Sequence, residues 1–207
     1  MAVELEGGCR VVGLKEGAPR LDGDLWIWDH FQSALSLRVL DLHGKARFHS
    51  ESHDEVLYVL EENEGIHVPA GSELELQGDM TIISSRTPSV AAGTRAEASR
   101  VRLDDQPIQK TGDRWYRELI QGETTQFVGS IPPGRAPDHF HLYEEVICIL
   151  DGSGVMWTGA KSAPVERGSC IFLPSRQPHC LENVGRGELR LLGVFYPAGS
   201  PAVRYPA

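Results

Sequence analysis

The sequence contains the same pattern twice, at an offset of 90 residues and without gaps, and this repeat limits the possible folds most strongly. The segment GKARFHSESHDEVLYVL (44–60) aligns with GRAPDHFHLYEEVICIL (134–150). Further along, GDMTIISSRTPS (78–89) aligns with GSCIFLPSRQPH (168–179). A repeat of this kind indicates one structural unit that is used twice. We therefore expect the chain to fold as two copies of one domain.

Each copy is predicted to consist of short strands. Segments such as ALSLRVLDL, EVLYVLE and ELRLLGVFY are rich in β-branched and aromatic residues, which is typical of strands. Helical periodicity is limited to one or two turns in WDHFQSAL (28–35). The polar stretch at residues 93–114 is predicted to connect the copies, with domains at 1–100 and 101–207. Many short strands separated by Gly and Pro turns predict an all-β sandwich or barrel.

Charge and composition exclude several classes of partner. The 207-residue chain has a formal net charge of −9 and no cluster of basic residues, whereas nucleic acids and anionic membranes both attract basic surfaces. No apolar run approaches the roughly 20 residues that span a bilayer, and MAVELEGGCR lacks the features of a signal peptide. We expect a cytoplasmic protein with reduced thiols, because no CxxC spacing links its four cysteines, Cys9, Cys148, Cys170 and Cys180.

The second copy carries residues that suit a metal ion. Because successive side chains of a strand point to opposite faces, a continuous strand would place His139, His141 and Glu145 on one face. The turn PSRQP then presents His179 from the following hairpin. Three imidazoles and one carboxylate suit Zn, Mn, Fe, Ni or Cu better than Ca or Mg. The pattern therefore predicts a site for one divalent transition metal.

The motifs around these residues resemble those of the cupin superfamily, and the repeat resembles its two-domain bicupin branch. The first cupin motif, a glycine, His-x-His, Glu and a later Gly, is matched by His139, His141, Glu145 and Gly152. The second motif, a glycine, Pro-x-Gly, His and Asn, is matched by Gly168, Pro174, His179 and Asn183. Two departures are Gly134, which is one residue closer to His139 than usual, and Arg176, which replaces the usual glycine.

The resemblance covers roughly residues 35–197. It implies an all-β fold of two tandem cupin-type (jelly-roll) β-barrels related by the internal repeat. It also implies that the second barrel holds one divalent transition metal (Fe, Mn, Zn or Ni) through His139, His141, Glu145 and His179. Arg176 could then stand at the mouth of the site, or it could alter only a turn.

The first copy is expected to have lost its metal site. Glu51 stands where the second copy has His141, and Ser89 stands where it has His179. Only the counterparts of His139 and Glu145 remain in register. An unorthodox site is the alternative, and its members would be His49, Glu51, His53 and Glu55.

The resemblance leaves the reaction open, because cupins include dioxygenases, decarboxylases, isomerases, lyases and non-catalytic binders. We expect a metal-dependent enzyme that acts on a small organic acid or polar aromatic, with a dioxygenase-type oxidoreductase favoured. The alternatives are a lyase or isomerase of sugar or keto-acid substrates, and a binding cupin without turnover. Tyr143 is the predicted acid or hydrogen-bond donor, and Arg176 or Arg135 could hold a substrate carboxylate. The expected partner is a small molecule, and the expected assembly is a monomer or homodimer.

Overall fold

The computed structural model describes residues 2–89 and 97–206, and the described chain is all-β, as predicted. Its helical elements are two short 3-10 helices, Glu6–Gly8 and Leu103–Asp105. The strands, in chain order, are β1 (Val3–Glu4), β2 (Arg10–Gly13), β3 (Arg20–Asp22), β4 (Leu25–Phe31), β5 (Leu37–His49), β6 (His53–Val59), β7 (Glu64–Val68), β8 (Glu73–Pro88), β9 (Ser99–Arg102), β10 (Gln109–Thr111), β11 (Arg114–Ile120), β12 (Thr125–Ile131), β13 (Gly134–Arg135), β14 (His139–Phe140), β15 (Glu144–Asp151), β16 (Ser153–Thr158), β17 (Lys161–Glu166), β18 (Ser169–Leu173), β19 (Cys180–Asn183), β20 (Leu189–Tyr196) and β21 (Tyr205–Pro206).

The chain divides into two compact units. One unit is Gly17–Gln106, and the other combines Met1–Glu16 with Pro107–Ala207. This division differs from the boundary expected near residue 100, because β2 pairs with β18 and so joins the N-terminal residues to the second unit.

The unit Gly17–Gln106 contains a seven-stranded antiparallel sheet in the order β3-β4-β5-β8-β6-β7-β9. Its apolar side chains form one core cluster, in which Leu42, Leu57 and Ile82 are fully buried. Two expectations fail here. The segment WDHFQSAL contributes to β4 instead of a helical turn, and part of the predicted connection forms β9, which pairs with β7. Residues 90–96 of that connection lie outside the described residues.

The second unit contains three sheets. The largest has eight strands in the order β1-β2-β18-β15-β20-β12-β11-β10, and the others are β13-β19-β16-β17 and β14-β21. One apolar cluster includes Ile147 and Phe195 from the eight-stranded sheet and Met156 and Leu181 from the four-stranded sheet. The core of this unit therefore lies between its two larger sheets, and the small β14-β21 sheet carries the first predicted metal ligand.

The four cysteines belong to the unit that combines Met1–Glu16 with Pro107–Ala207. All four cysteines are free and buried, and the Sγ atoms of Cys148 and Cys170 lie 3.2 Å apart on neighbouring strands. Over residues 2–89 and 97–206, no helix is long and apolar enough to cross a membrane.

Candidate metal centre

Three buried histidines of the second unit converge on one point. His139 lies in β14, His141 follows that strand, and His179 immediately precedes β19. One ring nitrogen from each of them lies within 4.8 Å of the others. Within the part of the chain that the structure describes, this is the one group of three or more potential metal ligands.

Backbone hydrogen bonds join the two motifs at the ligands themselves. The amide of His139 donates to the carbonyl of His179 (3.0 Å), and the amide of His179 donates to the carbonyl of His139 (2.8 Å). The amide of Arg176 donates to the carbonyl of His141 (2.7 Å). Arg176 takes a φ of 64°, the left-handed conformation that glycine adopts most readily. The arginine therefore keeps the turn that the usual glycine would form.

The ligands reach the centre by a different route from the one predicted. A continuous strand over residues 139–145 was expected to align them, but the structure has a break between β14 and β15. His141 lies in this break, while Glu145 lies near the start of β15. Convergence therefore depends on the pairing of β14 with β21 and on the bridge to His179.

Each imidazole is oriented by a backbone carbonyl. The Nδ1 atoms of His139, His141 and His179 lie 3.2, 3.1 and 2.9 Å from the carbonyl oxygens of Pro137, Val203 and Gln177, respectively. A carbonyl accepts only, so each Nδ1 must carry the proton and each Nε2 is left with a free lone pair. This is the tautomer of metal-ligating histidines, whose second nitrogen donates to a neighbouring acceptor.

The three imidazoles are in the neutral form that ligation requires. Burial is the main cause that lowers the pKa of His139 and of His179 to about 4. Burial likewise lowers the pKa of His141 to about 3, and the neighbouring His179 and His139 lower it further. All three rings are therefore uncharged at neutral pH.

Glu145 faces the same point, and one of its carboxyl oxygens has no hydrogen bond. Its Oε2 lies 3.7 Å from Nε2 of His141 and 4.0 Å from Nε2 of His179. Among the described residues, this buried oxygen has no hydrogen-bond partner. Burial raises the pKa of the carboxyl group to about 8, against the opposing effect of the Arg204 charge. The group therefore keeps its proton at neutral pH until a cation displaces it. A buried carboxyl group beside three neutral imidazoles suits a divalent transition metal, so the residues present fit such an ion.

A cavity opens onto this centre. Its empty space, including the part open to solvent, is about 610 Å³. Apolar and aromatic side chains such as Trp115, Phe127 and Leu191 form much of the wall. Two arginines, Arg114 and Arg204, also line it. Sequence reasoning missed both arginines, because neither belongs to a motif and one lies in the C-terminal segment PAVRYPA.

The other predicted site residues lie around the centre. Tyr143 is buried behind His141; its hydroxyl lies 3.1 Å from Nδ1 of that ring and donates to the carbonyl of Ser200 (3.1 Å). Arg176 is exposed on its turn. Arg135 is also exposed, and its guanidinium carbon lies 4.4 Å from the ring centroid of Trp157. Catalytic roles for Tyr143 and Arg176 stay predictions.

In the unit Gly17–Gln106, the glutamate that aligns with Glu145 is satisfied by other groups. Glu55 is buried and accepts hydrogen bonds from Arg38, Ser84 and Arg86, the last at 3.0 Å. Arginine side chains therefore compensate this buried carboxylate.

The alternative site in that unit does not assemble. His49 contacts Glu51, with Nε2 and Oε1 3.0 Å apart. His53 instead contacts Ser52, with Nδ1 and Oγ 2.8 Å apart, and the Glu55 carboxylate points to the arginines. The four candidate ligands are thus divided among separate contacts.

Sequence comparisons match this chain to one family model and to two relatives. The family model of the cupin domain matches residues 127–195. An uncharacterized protein (MJ1618) of Methanocaldococcus jannaschii is 37% identical over 85 residues, which are 40% of this chain and 68% of the relative. An oxalate-binding protein of Thermotoga maritima is 36% identical over 67 residues, which are 31% of this chain and 55% of the relative.

Solved structures share the fold of the whole chain. Protein Ylba of E. coli has a TM-score of 0.77 at 14% identity, with 94% of this chain and 93% of that chain covered. A putative glyoxylate-induced protein of Pseudomonas aeruginosa has a TM-score of 0.73 at 13% identity, with 98% and 94% covered. An oxalate decarboxylase of Bacillus subtilis, for which Mn(II) centers are described, has a TM-score of 0.67 at 11% identity, with 92% and 78% covered. At these identities the similarity shows the fold alone. The sequence match to the family model shows that the chain contains a cupin domain at residues 127–195.

Proposed function

We propose that this protein is a metal-dependent cupin that binds a small organic acid at the centre formed by His139, His141, Glu145 and His179, and acts on it. The observation that carries the proposal is the Glu145 carboxylate, which is buried without a hydrogen-bond partner while it faces two of the Nε2 atoms. A buried charge is costly unless it is paired or coordinates a metal, so burial keeps this group protonated up to a pH of about 8. A divalent cation would displace the proton and pair with the carboxylate.

The protein's own residues would hold and orient the ion. The three Nε2 atoms and the Glu145 carboxylate are the ligands, while the carbonyls behind the Nδ1 atoms keep each ring in place. When bound, the metal supplies Lewis acidity that polarises a substrate oxygen. The mostly apolar wall restricts water around the centre and strengthens charge interactions inside it. Iron, manganese, zinc and nickel all suit these ligands.

The relatives support a carboxylate as the ligand. One curated relative is named for oxalate binding, and one solved structure of the same fold is an oxalate decarboxylase. A carboxylate offers the hard oxygen atoms that a divalent metal polarises. The dioxygenase expected from the sequence, a lyase or isomerase, and a binding protein without turnover all use this ligand set. Oxygen consumption separates the first of these from the others.

We also propose that the chain is a bicupin, in which both units are cupin-type barrels and only the second carries a metal centre. The 90-residue repeat supports this proposal. The two aligned glutamates support it as well, because arginines satisfy Glu55 whereas Glu145 is left for a cation.

The proposal is tested on protein purified without added metal or chelator. Elemental analysis is expected to find close to one transition metal per chain in the wild type and little in the His179→Ala variant. Metal-loaded protein is then offered oxalate and other small organic acids, with an oxygen electrode and an assay for carbon dioxide release as readouts. Oxygen uptake would assign an oxygenase, and carbon dioxide release without uptake would assign a decarboxylase. A wild type that binds no transition metal, even when Mn(II), Fe(II), Zn(II) and Ni(II) are supplied, overturns the proposal.

A further inference from the structure

We infer that Arg114 and Arg204 form an anion-recognition pair beside the metal centre, and that the ligand of this site is a dicarboxylate. This inference rests on the proposed function, because one carboxylate is assigned to the metal. The second carboxylate is assigned to the two guanidinium groups. The pair is distinct from Arg176 and Arg135, which the sequence suggested for this role.

The two arginines line the cavity without ion-pair partners among the described residues. Both belong to the wall that also contains the three histidines and Glu145. Neither guanidinium lies within ion-pair distance of a described carboxylate, although the neighbouring Asp113 carboxylate acts on Arg114 electrostatically and raises its pKa in part. Both side chains are half-buried, so water compensates their charges only in part. Two half-buried cations on one cavity wall attract an anion.

The guanidinium groups are also close enough to influence one another. Burial lowers the pKa of Arg114, and the positive charge of Arg204 lowers it further. Like charges held together without an anion between them repel, and a carboxylate placed on both would relieve this repulsion. Guanidinium groups bind carboxylates through paired N–H bonds, which makes a carboxylate the natural ligand of this pair.

Arg204 is held in its position by an anchored segment. On one side of it, the carbonyl of Val203 contacts Nδ1 of His141 at 3.1 Å. On the other side, Tyr205 pairs with Phe140 across β21 and β14, and their rings stack with centroids 5.5 Å apart. The residue that binds the anion is therefore fixed between two contacts with the strand of the metal ligands.

The start of the same segment is fixed as well. The hydroxyl of Thr125 donates to the carbonyl of Gly199 (2.9 Å), and Tyr143 donates to the carbonyl of Ser200 (3.1 Å). A Cβ atom on Gly199 would lie 2.0 Å from the ring of Tyr143, so only glycine permits this close packing. We call Ala198–Pro206 the C-terminal strap, because it joins a residue of the cavity wall to the residues behind the ligands.

Arg114 approaches from a different element. It begins β11 and pairs with Thr111 of β10 across the hairpin, and both residues line the cavity. The two guanidinium groups thus come from a hairpin and from the strap. A carboxylate held between them would join these two elements.

The charges of the site favour two carboxylates over one. A divalent metal with Glu145 leaves one net positive charge at the centre, and the arginine pair adds two more. A monocarboxylate bound at the metal would leave the pair uncompensated. A dicarboxylate places one negative group at each position, because the predicted ligands and both arginines line one cavity.

The test measures binding instead of turnover. Full-length protein loaded with Mn(II) is titrated calorimetrically with oxalate, malonate and succinate, and with acetate as the monocarboxylate. The variants are Arg114→Ala, Arg204→Ala and Arg204→Lys. Arg186→Ala is the matched control, because Arg186 is an exposed arginine in the turn between β19 and β20. Metal content and thermal unfolding are measured for every variant.

At least one dicarboxylate is expected to bind the wild type at least about tenfold more tightly than acetate. Arg114→Ala and Arg204→Ala are each expected to weaken that binding by about tenfold or more, since each removes charge-assisted hydrogen bonds. Arg204→Lys keeps the charge without the paired bonds, and an intermediate loss is expected. Acetate binding and metal content are expected to change little.

Two failures can be told apart. If the wild type binds no Mn(II), the proposed function fails and the inference fails with it. If it binds Mn(II) but dicarboxylates bind no better than acetate, or equally well to the arginine variants and to Arg186→Ala, only the inference is overturned. If Arg204→Ala does not fold, Arg204→Lys and Arg114→Ala still decide between these outcomes.

Discussion

The backbones of His139 and His179 exchange two hydrogen bonds, of 3.0 and 2.8 Å, outside any regular strand pairing. The two motifs that supply the ligands are therefore joined by main-chain atoms at the ligands themselves. Substitution of either imidazole leaves these bonds in place. Variants at the two positions consequently test metal binding more directly than they test folding.

For His179→Ala, we expect the metal affinity to fall by more than the roughly 10–100-fold that is typical when a residue behind a ligand is lost. One of three Nε2 donors disappears, and the remaining ligands lie on one segment only. Elemental analysis after dialysis measures the loss. His43→Ala is the control, because His43 is exposed and contacts Asp79 in the other unit. Equal metal content in the two variants would show that His179 is not a metal ligand.

For Glu145→Gln, we expect a metal-free protein that is more stable than the wild type at alkaline pH. The pKa of Glu145 in the folded protein is raised to about 8 from an ordinary value of 4.5. Its contribution to stability is therefore fully present below pH 4.5 and is lost as the pH rises through about 8. The variant should gain up to about 4 kcal/mol at pH 8 and little at pH 4.5.

Thermal unfolding in the presence of a chelator, at several pH values, measures this difference. The contributions of the three histidines are common to both proteins and cancel in the comparison. Added metal should reverse the order, because it stabilises the wild type and binds the variant weakly. A stability difference between the wild type and the variant that does not change with pH would show that the Glu145 carboxyl is not desolvated in the folded protein.

For Glu55→Gln, we expect the opposite effect: the free energy of unfolding should fall. The Glu55 carboxylate compensates the buried Arg38 and also accepts a bond from Arg86. Loss of one partner of a buried ion pair typically costs about 3–5 kcal/mol. Urea denaturation of the full chain measures the change, with Glu145→Gln as the matched substitution at the aligned position. A neutral result would mean that the arginines find other partners.

For Tyr143→Phe, we expect metal affinity to fall by less than about tenfold. The ring of His141 loses the contact with the hydroxyl group but keeps the carbonyl of Val203, and losses behind a ligand are typically 10–100-fold when no partner remains. Tyr58→Phe is the control, because its hydroxyl donates to Asn63 in the other unit (3.0 Å). Turnover that falls more than about 100-fold while the metal stays bound would support the acid role predicted from the sequence.

We expect the four cysteines to react slowly with a thiol reagent at pH 8 in the native protein. All of them are buried, and burial, together with the charges of Glu4 and Glu145, raises the pKa of Cys9 to about 12. The thiolate is the reactive form, and burial keeps the reagent away from all four thiols. A colorimetric thiol titration before and after denaturation should rise from near zero to four per chain. Rapid reaction in the native protein would show that one thiol is accessible.

The strands and the set of residues that come together in the second unit could be predicted from the sequence, because both depend on local patterns. Alternation and turn residues predict the strands, and the spacing of His139, His141, Glu145 and His179 predicts the set of ligands. The way in which these side chains are positioned could not be predicted from the sequence. The expected continuous strand is interrupted between β14 and β15. Hydrogen bonds to distant carbonyls, such as that of Val203, orient the rings instead.

The arginines of the cavity were not predictable for the same reason. Arg204 reaches the cavity only because β21 pairs with β14, and residues 196–204 show no alternation that indicates such pairing. Arg114 lies in a stretch that looked like a polar connection. Short strands of two or three residues carry too little sequence signal to be recognised, although here they bring charged residues to the wall of the site.

The pairing of β2 with β18 also determines when the sheet of the second unit can form during synthesis. The strand that flanks β18 is translated first, and its partner is translated only after all of Gly17–Gln106. A fragment that begins at Pro107 would lack β2, and the backbone of Cys170 and Ile171 in β18 would form an open sheet edge. Open edges pair with other chains, so this fragment should associate with copies of itself, and the metal centre is best studied in the intact chain.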